Sequence, residues 1–237
     1  MLKRTVSAVI PVHNDQSSLS LAIPTALATL EDITSSFELI IAEDASTDGS
    51  YELATEWAIR DERVHVLHRN NRLGRGSALR CAAMVASGEI LCYFDVDLAT
   101  DMHYLPQLIQ SVMDGYDVVI GSRLLPESRI IRSGNREIKS RGYNQLVRFA
   151  LGSMVQDHQC GFKAFNRKRL ISLLPFVQDT HWFWDTEVLV YCQRKGYNIL
   201  EIPVSWTEGL GTTVKSSDMY AMALSVFRLW WRNSCFN

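Results

Sequence analysis

Short apolar runs separated by helical patterns place the tightest constraint on the fold of this 237-residue chain. In the first half, "TVSAVIPV", "FELIIAED", "EILCYFD" and "YDVVIGSR" are apolar at nearly every position instead of at every second one. Strands that are buried on both faces have this pattern, and helices between them are the usual connections of parallel strands. The sequence therefore predicts an α/β fold, with a mostly parallel central sheet flanked by helices.

The chain shows no internal repeat and no convincing linker. We expect one domain over residues 1–210, followed by an amphipathic helix over residues 211–237. In the tail, residues spaced i, i+4, i+7 and i+11 form an apolar stripe: Tyr220, Leu224, Phe227 and Trp231. Such a helix either docks on the core or lies at a membrane surface, where aromatic and cationic side chains are favoured.

Composition excludes several classes of protein. With 24 Lys and Arg against 26 Asp and Glu, the net charge is −2, which argues against nucleic acid as a partner. The five cysteines show no C-x-x-C spacing, so we expect free thiols in a reducing cytosol. The basic and then apolar start breaks at Pro11, so it indicates a first strand, not a signal peptide. The sequence contains no run of about 18 apolar residues, so we expect no membrane-spanning helix in it.

Polar side chains follow the predicted strands. Right-handed crossovers bring the carboxyl ends of parallel strands to one edge, where open α/β sheets bind ligands. The side chains expected at this edge are His13, Asn14, Asp15, Glu43, Asp44, Asp95, Asp97, Ser122 and Arg123. The sequence therefore predicts a ligand site there.

The segment "FDVDL" places two carboxylates after a buried strand. In extended backbone, Asp95 and Asp97 point to the same side, where their charges repel. A divalent cation would neutralise both, and Mg²⁺ is commonly held by one or two carboxylates plus substrate phosphates. The alternative is that Asp95 only ends the strand, while Asp97 or Asp101 caps the next helix.

Two further segments also allow two interpretations. In "IAEDASTDGS", Asp44 and Ser46 could receive a base or ribose, or could simply build a turn and a helix cap. In "NRLGRGSALR", Gly74 and Gly76 could let a phosphate approach the start of a helix, or could only shape the loop.

Taken in order, seven segments resemble family 2 glycosyltransferases of GT-A fold: "VIPVHND", "IIAEDASTDGS", "NRLGRGSALR", "YFDVDL", "VVIGSR", "DHQCGFKAF" and "FWDTE". The resemblance covers about residues 5–208 and is nearest to the polyprenyl-phosphate (dolichol-phosphate) mannosyl- or glucosyltransferases. It implies a Rossmann-like GT-A fold. It also implies an inverting enzyme that moves mannose or glucose from a GDP- or UDP-sugar to dolichyl or undecaprenyl phosphate.

The same resemblance implies a metal-dependent donor site, with Mg²⁺ or Mn²⁺ on Asp95 and Asp97. The residues it assigns to the nucleotide-sugar are Pro11, Val12, Asn14, Asp15, Asp44, Ser46, Gly76, Asp95, Val96 and Asp97. Some relatives have a further metal ligand where Ala99 stands here. His13 and Glu43 also depart mildly from the family pattern, and they leave the base specificity open.

The stretch from Arg123 to Arg148 has seven cations and two acids, which suits a lipid phosphate at a membrane surface, although charged surface helices are common. The resemblance implies catalytic roles for Arg123 and Asp157, the latter as a base, as an orienting group, or only as a turn residue. The implied acceptor-phosphate or membrane residues are Arg123, Arg129, Arg132, Arg136, Lys139 and Lys163. The tryptophans of the aromatic "HWFWDTE" segment could stack on a sugar, but the segment is more typical of core packing.

Many relatives continue into transmembrane helices. No such run is found in this sequence, so we expect either a peripheral protein on the cytoplasmic face of the membrane or one that needs a membrane-protein partner. The alternatives are a family 2 enzyme with a saccharide acceptor and a non-catalytic nucleotide-sugar-binding subunit. A sugar-1-phosphate nucleotidyltransferase fits less well, because its Gly-rich N-terminal loop is missing.

Overall fold

The computed structural model of the protein describes residues 5–131, 134–208 and 216–234. Its centre is a seven-stranded sheet in the order β3-β2-β1-β4-β7-β5-β8. These strands are β1 Val6–Val12, β2 Phe37–Glu43, β3 Val64–Leu67, β4 Ile90–Tyr93, β5 Val118–Ser122, β7 Lys163–Asn166 and β8 Ile199–Pro203. A separate two-stranded ribbon pairs β6 Arg129–Ile131 with β9 Ser205–Thr207.

Helices cover both faces of the sheet. They are α1 Gln16–Ile33, α2 Ser50–Arg60, α3 Arg75–Val85, α4 Leu105–Met113, α5 Gly134–Leu151, α6 Arg167–Leu173, α7 Trp184–Arg194 and α8 Ser216–Ser234. Helix α1 continues through Pro24, because the surrounding turns bury its apolar face in the core. The predicted α/β class and its mostly parallel sheet are confirmed.

The strands are apolar at consecutive positions because two cores lie on opposite faces of the sheet. All seven residues of β1 are buried. Ala8 and Ile10 belong to the core that includes residues of α1 and α4, whereas Val9 belongs to the core of α3, α6 and α7. A strand that contacts two cores cannot alternate between apolar and polar residues.

One strand departs from the expected direction. Strand β7 runs antiparallel to both of its neighbours, β4 and β5, while the other pairs in the sheet are parallel. Its amino end therefore lies at the edge where the other strands have their carboxyl ends. The pairing of Lys163 with Tyr93 brings the preceding segment, residues 157–162, to the predicted ligand edge.

Helix α8 packs on α5 through a third cluster, but not through the predicted stripe. Its buried side chains are Met222, Val226 and Leu229. The stripe lies on another face, with Tyr220 70%, Leu224 39%, Phe227 54% and Trp231 67% exposed. The tail helix thus has one apolar face in the core and a second one in solvent. No helix in the described ranges is long and apolar enough to cross a membrane.

Candidate active site

The loops after β1 and β2 are tied together at the carboxyl edge of the sheet. The backbone N–H of Asn14 donates to Ser46 Oγ at 2.9 Å, and Thr47 N–H donates to Asn14 Oδ1 at 2.7 Å. Asp15 caps α1 by accepting from Ser18 N–H. Pro11 and Val12 are buried in β1 just before this turn. The structure thus brings together the predicted nucleotide-sugar residues of the first two loops.

Asp44 supports a loop in this structure. Its two carboxylate oxygens accept the backbone N–H groups of Leu73 and Gly74, at 2.9 and 2.7 Å, and its side chain is buried. The neighbouring Glu43 accepts from Ser46 N–H and pairs with His68 Nδ1, each at 2.5 Å. The carboxylates at the end of β2 therefore hold the segments "IAEDASTDGS" and "NRLGRGSALR" against each other.

Gly76 has a packing role. A Cβ added to it would lie 2.4 Å from the Cβ of Trp184. The start of α3 can approach the start of α7 this closely only because residue 76 has no side chain. The structure favours this packing interpretation over an open phosphate cradle at Gly76.

Asp95 and Asp97 follow β4 at the same edge, in the turn that also contains Val96. Asp97 accepts from Ala99 N–H at 3.0 Å. Partial removal from solvent and the nearby charge of Asp95 raise the pKa of Asp97. The next residue, Leu98, has a φ of +49°, an uncommon conformation for a leucine. Strained backbone and repelling carboxylates together are typical of a functional site.

A divalent cation fits this pair. The carboxylates are hard oxygen donors, and a cation between them would offset the repulsion that raises the pKa of Asp97. No group of three or more His, Cys, Asp or Glu side chains that could hold a metal occurs within the described ranges. A pair of carboxylates is nevertheless a common protein contribution to a Mg²⁺ site, in which substrate phosphates and water supply the other ligands. Gly161 sets the orientation of Asp95, because a Cβ there would lie 1.9 Å from Asp95 Oδ2.

Arg123 and Asp157 form a buried, two-pronged ion pair. Arg123 Nε donates to Asp157 Oδ2 at 2.7 Å, and Nη2 donates to Oδ1 at 2.9 Å. The backbone N–H groups of Arg123 and Gln159 also donate to this carboxylate. Burial opposes ionisation, but Arg123 holds the pKa of Asp157 well below its usual value. An acid this strong, with its lone pairs occupied, is suited to orienting Arg123 and poorly suited to accepting a proton.

Lys163 is fully buried. Its ammonium group donates to Asp185 Oδ1 at 2.6 Å and to the carbonyls of Cys160 and His158 at 2.5 and 3.2 Å. An ammonium group has three donors, and all three have acceptors here. This geometry disfavours the implied direct contact between Lys163 and an acceptor phosphate, because it assigns the lysine to an internal network.

That network contains two residues to which we assigned no role from the sequence. Asp185, at the start of α7, accepts from Arg75 Nη1 at 2.5 Å and from the Tyr93 hydroxyl at 2.5 Å. Arg75 also donates to Asp95 Oδ1, from Nη2 at 2.8 Å and from Nε at 3.2 Å. The only sequence signals were a charged residue between two glycines and a carboxylate in an aromatic segment. Neither one predicts its partner.

The basic stretch leads from this site onto α5. Arg129, on β6, and Lys139, on α5, are exposed. Arg132 lies outside the described residues, and so does the side chain of Arg136. Helix α5 is fastened to the segment after Asp157, because Asn144 Oδ1 accepts from His158 Nδ1 at 2.7 Å and from its backbone N–H at 2.9 Å. Burial lowers the pKa of His158 to about 3, which keeps this imidazole neutral.

The sheet order, the antiparallel β7 and the carboxylate pair after β4 define an α/β protein with a candidate site at the carboxyl edge of its sheet. The comparison with known families gives its class. The model of the family described as glycosyl transferase family 2 matches residues 7–174, and the chain belongs to this family. The expected GT-A fold is also supported by solved structures. Glucosyl-3-phosphoglycerate synthase from Mycobacterium tuberculosis, solved with Mn²⁺, UDP-glucose and phosphoglyceric acid, has a TM-score of 0.68 at 21% identity, covering 95% of this chain and 78% of that one.

Two curated relatives cover nearly the whole chain. Glycosyltransferase AglD from Haloferax volcanii is 42% identical over 231 residues, which make up 96% of this chain but only 37% of AglD. Dolichyl-phosphate beta-glucosyltransferase ALG5A from Trichomonas vaginalis is 30% identical over 94% of this chain and 72% of its own length. The chain thus spans about a third of one relative and most of the other.

Proposed function

We propose that this protein transfers a hexose, mannose or glucose, from a nucleotide-sugar to a polyprenyl phosphate. The observation that carries the proposal is the arrangement at one sheet edge of a carboxylate pair, Asp95 and Asp97, beside an arginine oriented by a buried acid. The name of the ALG5A relative supports a dolichyl-phosphate acceptor and a glucosyl group. The donor is a UDP- or GDP-hexose.

In this reaction an oxygen of the acceptor phosphate forms a bond to the anomeric carbon of the sugar. The bond from that carbon to the diphosphate breaks, and the nucleoside diphosphate leaves. A bound Mg²⁺ or Mn²⁺ would act as a Lewis acid on the departing diphosphate. Asp95 and Asp97 would hold the ion, and the loops with Asn14 and Ser46 would hold the nucleoside.

Arg123 has the chemistry to position the acceptor phosphate. Asp157 holds the guanidinium of Arg123 at the end of β5, and the Trp206 ring lies 5.6 Å from Arg123 Cζ. A phosphate is already ionised near neutral pH, so it needs orientation and charge screening more than a general base. We therefore assign Asp157 the role of a positioning residue that acts through Arg123.

The second apolar face of α8 supports placement at a membrane. Tyr220, Phe227 and Trp231 are more than half exposed, and Arg228 is exposed beside them. Aromatic and cationic side chains on one face suit the interface of a membrane with anionic lipid. We propose that the protein lies on the cytoplasmic surface of the membrane, with α8 and the basic side of α5 toward the lipid, and with a membrane protein as a possible partner.

The test combines donor binding with acceptor kinetics. UDP- and GDP-hexoses are screened with Mn²⁺ and either dolichyl or undecaprenyl phosphate, and the released nucleoside diphosphate is measured. The variant Arg129→Glu/Lys139→Glu/Arg148→Glu changes three exposed cations of the basic stretch. It should raise the acceptor KM about tenfold or more, since each cation near an anionic surface contributes about 1 kcal/mol. Its donor Kd should stay unchanged.

The matched control is Arg60→Glu/Lys168→Glu/Lys195→Glu, which makes the same change in charge at exposed positions elsewhere. It should leave both constants near wild type. Transfer to a saccharide but not to polyprenyl phosphate would instead support the saccharide-acceptor alternative. A chain that binds nucleotide-sugar but never releases the diphosphate would support a non-catalytic subunit.

A further inference from the structure

A chain of alternating charges runs from the interior of the protein to the carboxylate pair. Lys163 is fully buried, Asp185 is 4% exposed, and both oxygens of the Asp185 carboxylate are engaged. Burial disfavours its charge, but Lys163 and Arg75 together keep the pKa of Asp185 below its usual value. Asp185 is thus an anchor that pairs with both Lys163 and the guanidinium of Arg75.

Arg75 connects this anchor to Asp95. One side of its guanidinium donates to Asp185, and the other donates twice to Asp95 Oδ1. The rings of Tyr93 and Trp182 lie 5.6 and 5.7 Å from its Cζ atom, so its charge is held in a defined place. The Arg75 side chain is only 11% exposed, whereas that of Asp95 is 42% exposed.

The arginine and a divalent cation would therefore meet at the same carboxylate. Oδ1 of Asp95 accepts both bonds from Arg75, and Oδ2 lies against the backbone at Gly161. A metal ion that binds alone must compete with the guanidinium and also overcome the repulsion between two cations. An ion that arrives with a diphosphate brings two or more negative charges, and these can satisfy both cations.

We propose that Arg75 is a positioning residue that makes the divalent cation and the nucleoside diphosphate bind as a unit. Without donor, Arg75 neutralises Asp95 and keeps the affinity for the metal low. With donor, its guanidinium shares the negative charge of the diphosphate, and Asp95 becomes available to the ion. The inference rests on the donor half of the proposed function and is independent of the acceptor.

The test measures Mn²⁺ binding to the full chain by electron paramagnetic resonance of the free ion, without a sugar and without an acceptor. For the wild type, saturating UDP or GDP should tighten Mn²⁺ binding at least tenfold, within the usual range of coupling between linked ligands. Arg75→Met should bind Mn²⁺ alone about tenfold more tightly than wild type, because a competing charge is gone. It should bind nucleotide more weakly, and Arg75→Lys, which keeps the charge, should resemble wild type.

The gain in Mn²⁺ affinity together with the loss of nucleotide affinity distinguishes this role from a structural one. Damage to the site would weaken the binding of both ligands. Arg75→Met leaves Asp185 its partners Lys163 and Tyr93, and thermal unfolding checks that the variant folds. Arg75→Gln, which keeps a donor toward Asp95, serves as a second neutral variant. Arg80→Met removes an equal charge from an exposed position on the same helix and should change neither affinity.

The proposal is overturned if wild-type protein binds Mn²⁺ as tightly alone as with nucleotide. It is also overturned if neither neutral variant gains Mn²⁺ affinity, or if Arg80→Met gains as much. A failure of the proposed function gives a different result. If polyprenyl phosphate is not used as an acceptor but Mn²⁺ and nucleotide binding are still coupled, only the polyprenyl-phosphate assignment is wrong. If neither UDP nor GDP binds the wild type, the donor assignment falls, and the Mn²⁺-only comparison still tests the competition by Arg75.

Discussion

Replacing Asp157 by asparagine should lower the stability of the folded protein, and it should not remove a proton-transfer step. The side chain of Asp157 is 0% exposed and that of Arg123 is 12% exposed, so the variant leaves an arginine unpaired in a nearly dry site. Breaking a buried ion pair from one side costs about 3–5 kcal/mol. Asp157→Asn should therefore lower the free energy of unfolding by about this amount.

Urea denaturation followed by fluorescence measures this change. The exposed pair Glu137–Arg141 provides the control, since its side chains are 41% and 55% exposed. Glu137→Gln should cost less than about 1 kcal/mol. The double variant Arg123→Met/Asp157→Leu removes both charges and should lose less stability than Asp157→Asn alone, because no unpaired charge remains.

The dependence on pH gives a second measurement. Arg123 lowers the pKa of folded Asp157 well below the value of about 3.9 in an unfolded chain. A depressed acid pKa stabilises the folded state above the unfolded pKa, and this contribution is lost as the pH falls below about 5. Wild type should lose this contribution on acidification, and Asp157→Asn should lack it at every pH.

The kinetics decide between a positioning role and a base. A positioning role predicts that the acid limb of the pH–rate profile does not report Asp157, and that Arg123→Lys impairs acceptor use as Asp157→Asn does. The reasoning is refuted if Asp157→Asn is as stable as wild type and loses about 100-fold in kcat with an unchanged acceptor KM. That outcome would identify a general base.

Three further changes test the site and the tail. Gly161→Ala should displace the Asp95 carboxylate and weaken Mn²⁺ binding in the presence of UDP or GDP, because the added Cβ would lie 1.9 Å from Asp95 Oδ2. Gly142→Ala, which has open space around it, should bind Mn²⁺ as wild type does. Asp97→Asn should remove metal-dependent nucleotide binding, measured by thermal shift with and without Mn²⁺, and an unchanged shift would contradict the metal assignment. On α8, Trp231→Ser should reduce co-sedimentation with anionic vesicles at little cost in stability, whereas buried Leu229→Ala should cost about 2–5 kcal/mol and leave vesicle binding intact.

The sequence predicted the elements, and the sheet edge at which the polar side chains lie, because both depend on local patterns. Runs such as "FELIIAED" and "EILCYFD" are apolar at nearly every position before their terminal acids, and each contains a buried strand. Asp95 and Asp97 were found for the same reason, since they directly follow a buried strand. The structure gives the positions of these residues, and their roles are proposals.

The sequence did not predict which charges meet. Arg75 and Asp185 are 110 residues apart, and nothing near either one indicates the other. The direction of β7 was missed because a short apolar strand looks the same whether it pairs parallel or antiparallel. Lys163 was expected to contact the acceptor phosphate or the membrane, since a lysine is rarely buried unless a carboxylate is brought to it.

The local sequence by itself determined an α/β chain of GT-A type, a carboxylate pair at a strand end, and an aromatic tail helix. Only the tertiary structure decided that Asp157 orients Arg123, that Asp185 holds Arg75 against Asp95, and that α8 buries Met222, Val226 and Leu229 while its aromatic stripe stays exposed. The reason is physical. Strand and helix formation follow from neighbours along the chain, whereas the ionisation and the role of a buried charge depend on the partners that folding brings beside it.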